Sequence, residues 1–510
     1  MKCPPVRSSI FGTARAFLAR AALFTAVFWG LAVPVPAGIT PEVRAKLDPV
    51  FAEAKTAFFE TIGKIIENHP MKAQLEEADQ ARLLDGRDRI PYLFERLMIF
   101  AYQKDEPQFT QWAERGDPGS LERFRGAFLA LARDNAAKFV GSLFRRAKTY
   151  DFEMSLPHNR GKSRLDLVLQ SIGFNARNDR PDIPRDQWFT NTVSPEYGSQ
   201  WAIEALRVRP CWPVTRGEGV IVAVIDSGLD PFNSLFKDRT APGLNFMLRT
   251  TPPWSDESPP MIDWGLHGTG CSSALLAVAP DCRVMPVRIH DSDTMNDPAF
   301  DFWIYEFAAA GIYYAVHHGA QVISLSAPLP ATELVLLEAA KYAYRNNVPI
   351  CTSAGNISRV QFGMRLEDQI YKAMKDEVIL VGGVAREGEA IRPWPITVPH
   401  DEIDVATPSA DVFVAVPVYM KDMHDMAVAG TSLSAPLAAG VVALLRSGAP
   451  PPKGILEMRG EYCRLIERSL KQAARLDILD LDGPDDVVGS GLVDAYGSLR
   501  VIKELLQGTR

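Results

Sequence analysis

The sequence predicts an α/β fold: a parallel sheet flanked by helices, with a separate, mainly helical region ahead of it. Three stretches carry this expectation. Gly219-Val-Ile-Val-Ala-Val-Ile-Asp226 is a continuous β-branched run, the pattern of a strand buried on both faces. Val348 to Cys351 is a second apolar run, followed by the turn-like Thr352-Ser-Ala-Gly-Asn356. Leu437 to Leu445 is apolar throughout and reads as a buried helix, entered through Gly430-Thr-Ser-Leu-Ser-Ala-Pro436. Pro436 is tolerated there because the first helical turn has no intrahelical use for its missing N–H.

From the N-terminus, residues 1–37 read as a secretory signal. Lys2, Arg7, Arg15 and Arg20 precede the apolar run Ala21 to Val33, and Val35-Pro-Ala37 offers small residues before a cut at Gly38. The run is short for a membrane span, which favours cleavage over an uncleaved anchor. The chain is therefore expected to be exported, to a periplasm or outside the cell.

Residues 38–172 are expected to be helical. Val43, Leu47, Val50, Phe51, Ala54, Phe58, Ile62, Ile65 and Ile66 recur at steps of three and four, one apolar stripe of a helix. Ile90 to Tyr102 and Leu121 to Phe144 give two more helices, and Ser163 to Ile172 a shorter one. Residues 173–187, polar with Pro181 and Pro184, read as a linker. The α/β domain is expected over 188–510.

Composition narrows the function. The 47% hydrophobic content predicts large globular cores, and the net charge of −7 argues against nucleic acid as the main partner. No zinc-type cluster of Cys and His and no phosphate loop is present, so neither metal nor cofactor is expected. Beyond the signal five cysteines remain, Cys211, Cys271, Cys282, Cys351 and Cys463; an odd number leaves at least one unpaired within a monomer.

Four residues in turn positions suggest chemistry. Ser432 precedes the Leu437–Leu445 helix, where unpaired N–H groups favour a developing negative charge. A serine in such a turn is also an ordinary cap. A nucleophilic serine needs a base, and the base needs an orienting carboxylate. Asp226 ends a buried strand, the place where open α/β sheets put their sites, although strand-end aspartates often only cap a turn. His267 lies in Gly265-Leu-His-Gly-Thr-Gly270, before the helical run Cys271 to Val278; alone it could be a satisfied structural histidine. Asn356 could be a turn residue or an amide aimed at an oxyanion.

The order Asp226, His267, Asn356, Ser432 resembles the subtilisin-like serine peptidases, the subtilase family. The resemblance runs from about Pro184 to Leu499. Tyr197, Gln200, Trp201, Trp212 and Gly219 are similar to the family's entry into its first strand. Val278-Ala-Pro280, Arg283 to Ile289, Gly319-Ala-Gln-Val-Ile-Ser-Leu-Ser326, Val378 to Val384 and Gly489 to Ala495 resemble its later landmarks.

The resemblance implies a serine endopeptidase with Asp226, His267 and Ser432 as its triad. It makes Asn356 and the Ser432 backbone N–H the oxyanion donors. It places substrate against Ser324, Leu325, Ser326, Ser353, Ala354 and Gly355. Protein or peptide substrates are then the expected partners. The helical region 38–172 becomes either a propeptide inhibitory in cis or a permanent accessory domain. The competing reading is a catalytically silent subtilase fold used as a binding module. An α/β-hydrolase is disfavoured because its order is serine, acid, histidine and its elbow is Gly-x-Ser-x-Gly.

The chain departs from the family pattern in four places. Leu266 and Gly270 flank the histidine motif where Gly and His are usual. Only thirteen positions separate His267 from Pro280, with no acidic residue before Asp281, so the calcium loop common in secreted members is not expected there. Ala327-Pro-Leu-Pro330 follows Ser326, and a proline cannot donate to a pairing substrate strand. Ile357 to Glu377 is too unlike the family to name a specificity pocket. Cys271, one helical turn after His267, is similar to a thiol of the proteinase K branch, and otherwise reads as a small core residue.

Overall fold

The computed structural model describes residues 41–68, 104, 107–108, 118–145, 200–230, 233–246, 267–290, 304–326, 334–356, 376–417, 425–479, 481 and 483–508. The expected signal, the helices over Ile90–Tyr102 and Ser163–Ile172, and the linker 173–187 lie outside the described residues.

Two N-terminal helices form as expected, α1 over Pro41–Asn68 and α2 over Pro118–Arg145. The cluster residues of α1 are Val50, Ala54, Phe58, Ile62 and Ile66, with Ala57 buried beside them; those of α2 are Phe124, Phe128, Ala132, Ala136 and Val140. Both series advance in steps of four, so each helix buries one stripe. Ala132 and Ala136 leave room for the large residues of α1. Arg125 grips both Glu53 oxygens through one guanidinium edge, its Nε and Nη2, at 2.5 Å each. Both side chains are about two-fifths exposed, so the pair fixes register more than it stabilises.

The short helix α3, Trp201–Ala205, leads into strand β1, Ile221–Asp226. There follow β2 (Leu244–Asn245), α4 (His267–Val278), β3 (Arg283–Arg288), α5 (Ile304–His317) and β4 (Val322–Leu325). Next come α6 (Leu334–Arg345), β5 (Ile350–Ser353), β6 (Val378–Glu387), β7 (Ala390–Pro393) and β8 (Val405–Pro408). A hairpin of β9 (Val412–Ala415) and β10 (Asp425–Val428) precedes α7 (Ser434–Gly448). Helices α8 (Lys453–Glu457), α9 (Glu461–Ala473) and α10 (Ala495–Gly508) close the chain.

The main sheet runs β2-β3-β1-β4-β5-β6-β7, with β8 also on β6. Its pairs are parallel except β6 with β7. From β1 the chain winds to β3 on one side, then crosses to β4 on the other. That reversal opens a crevice at the carboxyl ends of β1 and β4.

Strand alternation separates two cores. Val222 and Val224 of β1 pack with α4, α7, α9 and α10, whereas Ala223 and Ile225 pack with α5 and α6. The buried residues of α1 and α2 belong to the α5–α6 cluster. Asp226 follows Ile225 and so projects to the α4–α7 side. The subtilisin-like α/β expectation holds, with local shifts. Strand β5 starts at Ile350 rather than Val348, because Pro349 has no N–H to give to a ladder; its carbonyl still accepts from Ile323. Helix α4 starts at His267 itself rather than after it.

Helices α4 and α7 cross at Gly440. A Cβ there would lie 2.8 Å from the Val278 Cβ and 3.0 Å from the Leu275 carbonyl oxygen. Alanine would gain about 1 kcal/mol of helix propensity over glycine. The crossing has no flexible side-chain end to yield, so overpacking should win. Gly440→Ala is expected to destabilise the protein by roughly 1–2 kcal/mol net in urea unfolding. Equal or higher stability would show that the helices separate freely.

Candidate active site

The turn after β1 is joined directly to the start of α4. Gly228 has φ +117°, a conformation that favours glycine. A Cβ on Gly268 would lie only 2.2 Å from the Gly228 carbonyl oxygen, so backbone meets backbone here. The Gly268 N–H donates to Ser227 Oγ (2.8 Å), and the Asp230 N–H donates to Thr269 Oγ1 (3.0 Å). These contacts seat His267 over Asp226.

The imidazole Nδ1 lies 2.8 Å from Asp226 Oδ1 and 3.0 Å from Oδ2. Oδ1 also accepts the Ser227 N–H at 2.6 Å. Nδ1 is therefore the donor in the neutral ring, which leaves the Nε2 lone pair for a proton. Asp226 is buried, while the His267 side chain is 22% exposed and reachable from the crevice. Burial works against the Asp226 charge, but the His267 imidazole, His290 and the Ser227 N–H outweigh it and bring the carboxyl down to about 2. Burial also opposes the imidazolium, yet the Asp226 carboxylate holds His267 well above the ordinary histidine range.

Ser432 lies in a single 3-10 turn, Thr431–Leu433, that runs into α7. Its carbonyl accepts from Ser326 Oγ (2.8 Å), just past β4, and from the Cys271 thiol (3.4 Å) on α4. The backbone of the serine is thus held by both walls of the crevice. Asn356 follows β5, and its Oδ1 accepts both the Thr431 N–H (3.0 Å) and the Thr431 hydroxyl (2.9 Å). With Oδ1 fixed in this way, the amide Nδ2 is the group left to face a ligand. Beneath the turn, Ser409 and Ser434 hydroxyls meet at 2.5 Å and Thr407 Oγ1 donates to the Ser434 carbonyl (3.1 Å).

Asp226, His267, Asn356 and Ser432 thus converge on one end of the sheet. The Ser324 and Leu325 side chains are buried, and β4 is paired on both edges, to β1 and β5. Ser326 is partly exposed at the mouth. Ser353 ends β5, Ala354 is buried, and Gly355 turns at φ +94°. Residues 327–330, and Ile357–Glu377 apart from its last two, lie outside the described residues.

Cys271 is both core residue and neighbour of the site. It is buried, and its Sγ is 3.8 Å from His267 Nδ1. All five described cysteines are free and buried, and burial pushes the Cys211 and Cys282 thiols up to about 12. The Asp226, His267 and Cys271 donor atoms lie within 4.8 Å of one another, near enough to share a metal ion. A metal there would take the Nδ1 that Asp226 holds. Sequence reading missed His290, whose Nε2 is 3.9 Å from Asp226 Oδ1. The signal was that the period of β3, continued two residues past its end at Arg288, gives His290 the parity of Val284.

The model of the subtilase family matches residues 217–491, more than half of the chain. The chain belongs to the subtilase family. Its members are serine endopeptidases. The major intracellular serine protease of Bacillus subtilis (strain 168) is 27% identical over 303 residues, 56% of this chain and 88% of that protein. The intracellular serine protease of Paenibacillus polymyxa is 27% identical over 281 residues, covering 52% of this chain and 79% of the relative. Among solved structures, fervidolysin from Fervidobacterium pennivorans is 23% identical with a TM-score of 0.47. That match covers 62% of this chain and 50% of fervidolysin. The family match leaves everything before residue 217 of this subtilase uncovered.

Asp226→Asn should cut turnover by about 10⁴, the scale of that change in another Ser-His-Asp enzyme, because the amide favours the wrong tautomer. It should also move the acid limb of kcat/KM to lower pH. The carboxylate raises His267, so its removal lets the ring lose its proton earlier. An acid limb that stays in place would show that the carboxylate does not control the base.

Proposed function

We propose that this subtilase is an exported serine endopeptidase acting through Asp226, His267 and Ser432. The observation that carries the reading is His267 Nδ1 held by both Asp226 oxygens while Ser326 and Cys271 fix the Ser432 carbonyl beside it. In this mechanism His267 Nε2 takes the proton of Ser432 Oγ as the oxygen attacks the scissile carbonyl. Asp226 stabilises the imidazolium so formed. The oxyanion is met by Asn356 Nδ2 and the Ser432 N–H. The imidazolium gives its proton to the leaving amine, and an acyl-enzyme on Ser432 remains. Water, deprotonated by the same imidazole, then releases the acid.

The substrate is a protein or peptide entering beyond Ser326 and Gly355. The paired state of β4 supports this placement, since backbone groups of Ser324 and Leu325 already serve the sheet.

Helices α1 and α2 are assigned an accessory role rather than that of a plug. Their buried residues share a cluster with α5 and α6, on the opposite side of the sheet from α4 and α7. A permanent layer there supports the peptidase domain without covering Asp226 or His267. N-terminal sequencing of the mature protein tests this: a terminus near Gly38 is expected, and one between Gly173 and Gln200 would make the region a propeptide. A chain beginning at Pro184 should melt about 4 °C or more below the full chain, since about 1 kcal/mol is worth roughly 2–4 °C in domains of 150–250 residues. Equal melting would mean that the helices stand alone.

Ser432→Ala should abolish peptide hydrolysis and labelling by a fluorophosphonate while leaving the unfolding curve unchanged. Asn356→Ala should lower kcat by about 10²–10³ with little change in KM, the loss seen when a related subtilase loses its side-chain oxyanion donor. Casein hydrolysis by purified Ser432→Ala would refute the serine mechanism. A change in KM alone would make Asn356 a binding residue.

A further inference from the structure

A second imidazole faces the carboxylate of the triad. His290 lies two residues beyond Arg288, and Arg288 is registered beside Asp226. Continued past the end of β3, the strand period gives His290 the same parity as Val284, on the face where Asp226 meets His267. The Ile289 N–H donates to the Asp226 carbonyl (2.8 Å), so this backbone is tied to the site. The His290 side chain is only 4% exposed, and its Nε2 lies 3.9 Å from Asp226 Oδ1. Its ring centroid is 6.3 Å from that of His267. Asp226 thus stands between two imidazoles, hydrogen-bonded to one and within ion-pair reach of the other.

We propose that His290 is a positioning residue that acts through the Asp226 carboxylate and sets the pH at which His267 becomes a free base. The proposal rests on the triad reading above. One carboxylate cannot fully neutralise two imidazolium rings about 6 Å apart, so their titrations are coupled. A proton on His290 takes up part of the carboxylate field and repels a proton on His267. His267 then releases its proton at a lower pH than it would beside an uncharged residue, and activity extends toward acid.

Several other groups lie on the elements packed at this end. On α4 they are His267 and the Cys271 thiol, on β1 Asp226, and on β3 Arg288. Helix α5, packed on β3, carries the buried Glu306, while Asn245 of β2, registered with Arg288, has no charge. Among these described groups only the His267 ring is bonded to the Asp226 carboxylate through a side chain and required as the base. A burial-only role for His290 would leave the pH profile unmoved.

The experiment is the pH dependence of kcat/KM on a fluorogenic peptide for the full chain and for His290→Gln and His290→Leu. Both substitutions should raise the acid limb by about 0.5–1 pH unit, the size expected for a like charge at this separation partly offset by the carboxylate. The alkaline plateau should stay within about twofold, because His290 touches no reacting atom. An unmoved limb, or one that moves down, overturns the proposal. If the variants do not fold, the wild-type His267 Nδ1 proton followed by NMR decides. Two inflections with pH are expected from a coupled pair, and a single one overturns the coupling. A fluorophosphonate label on Ser432 separates the two readings. Labelled wild type with an unmoved limb refutes only the role of His290, and absence of label refutes the triad with it.

Discussion

The close contact between Gly228 and Gly268 is the constraint on which the rest of the site depends. A side chain at 268 would meet a backbone carbonyl at 2.2 Å, so the first turn of α4 can approach the β1 turn only through glycine. Because the approach is backbone to backbone, it leaves little freedom for His267. The imidazole is then aligned by the fold before any substrate arrives, and Asp226 needs no movement to hold it. The crossing of α4 with α7 at Gly440 extends the same principle. It brings the serine-bearing turn toward the helix that bears the histidine.

Electrostatics follows from that packing. Asp226 is buried on the side of the sheet opposite α5 and α6, where a lone charge would be costly. Three donors or cations meet it instead: the His267 ring, the Ser227 N–H and, farther off, His290. The same environment that lowers the Asp226 carboxyl raises the His267 imidazolium, so the pair resists separation over the middle of the pH range. Sign follows directly. The Asp226 contribution to stability is present above its unfolded value near 4 and is lost as pH falls toward about 2. The His267 contribution is complete below its unfolded value near 6.5 and is lost as pH rises through its elevated folded value.

The two faces of the sheet divide the labour. One face carries α4 and α7, and with them the proposed chemistry; the other carries α5 and α6 and shares its apolar cluster with α1 and α2. The Phe stripes of the N-terminal region therefore have a partner without occupying the crevice. Exposure of apolar surface to water on that side is a matter of stability, whereas changes at Gly268 or Ser326 act on the geometry of the candidate site.

Much of this was legible in the sequence because it is local. The β-branched run ending at Asp226, the helix after Ser432 and the four-residue steps of Val50 to Ile66 each depend on neighbours a few positions away. Their periods dictate strand or helix wherever they fold. The order of Asp226, His267, Asn356 and Ser432 was equally visible. What only the tertiary structure decided depends on residues far apart in the chain. Sequence could not place Ser326 and Cys271 on the Ser432 carbonyl, nor fix the Asn356 amide on Thr431. It could not bring His290 to Asp226, because that contact needs the parallel register of β1 with β3, set by packing across both faces of the sheet. Local periodicity tells which way a side chain points; only the assembled sheet tells what it meets.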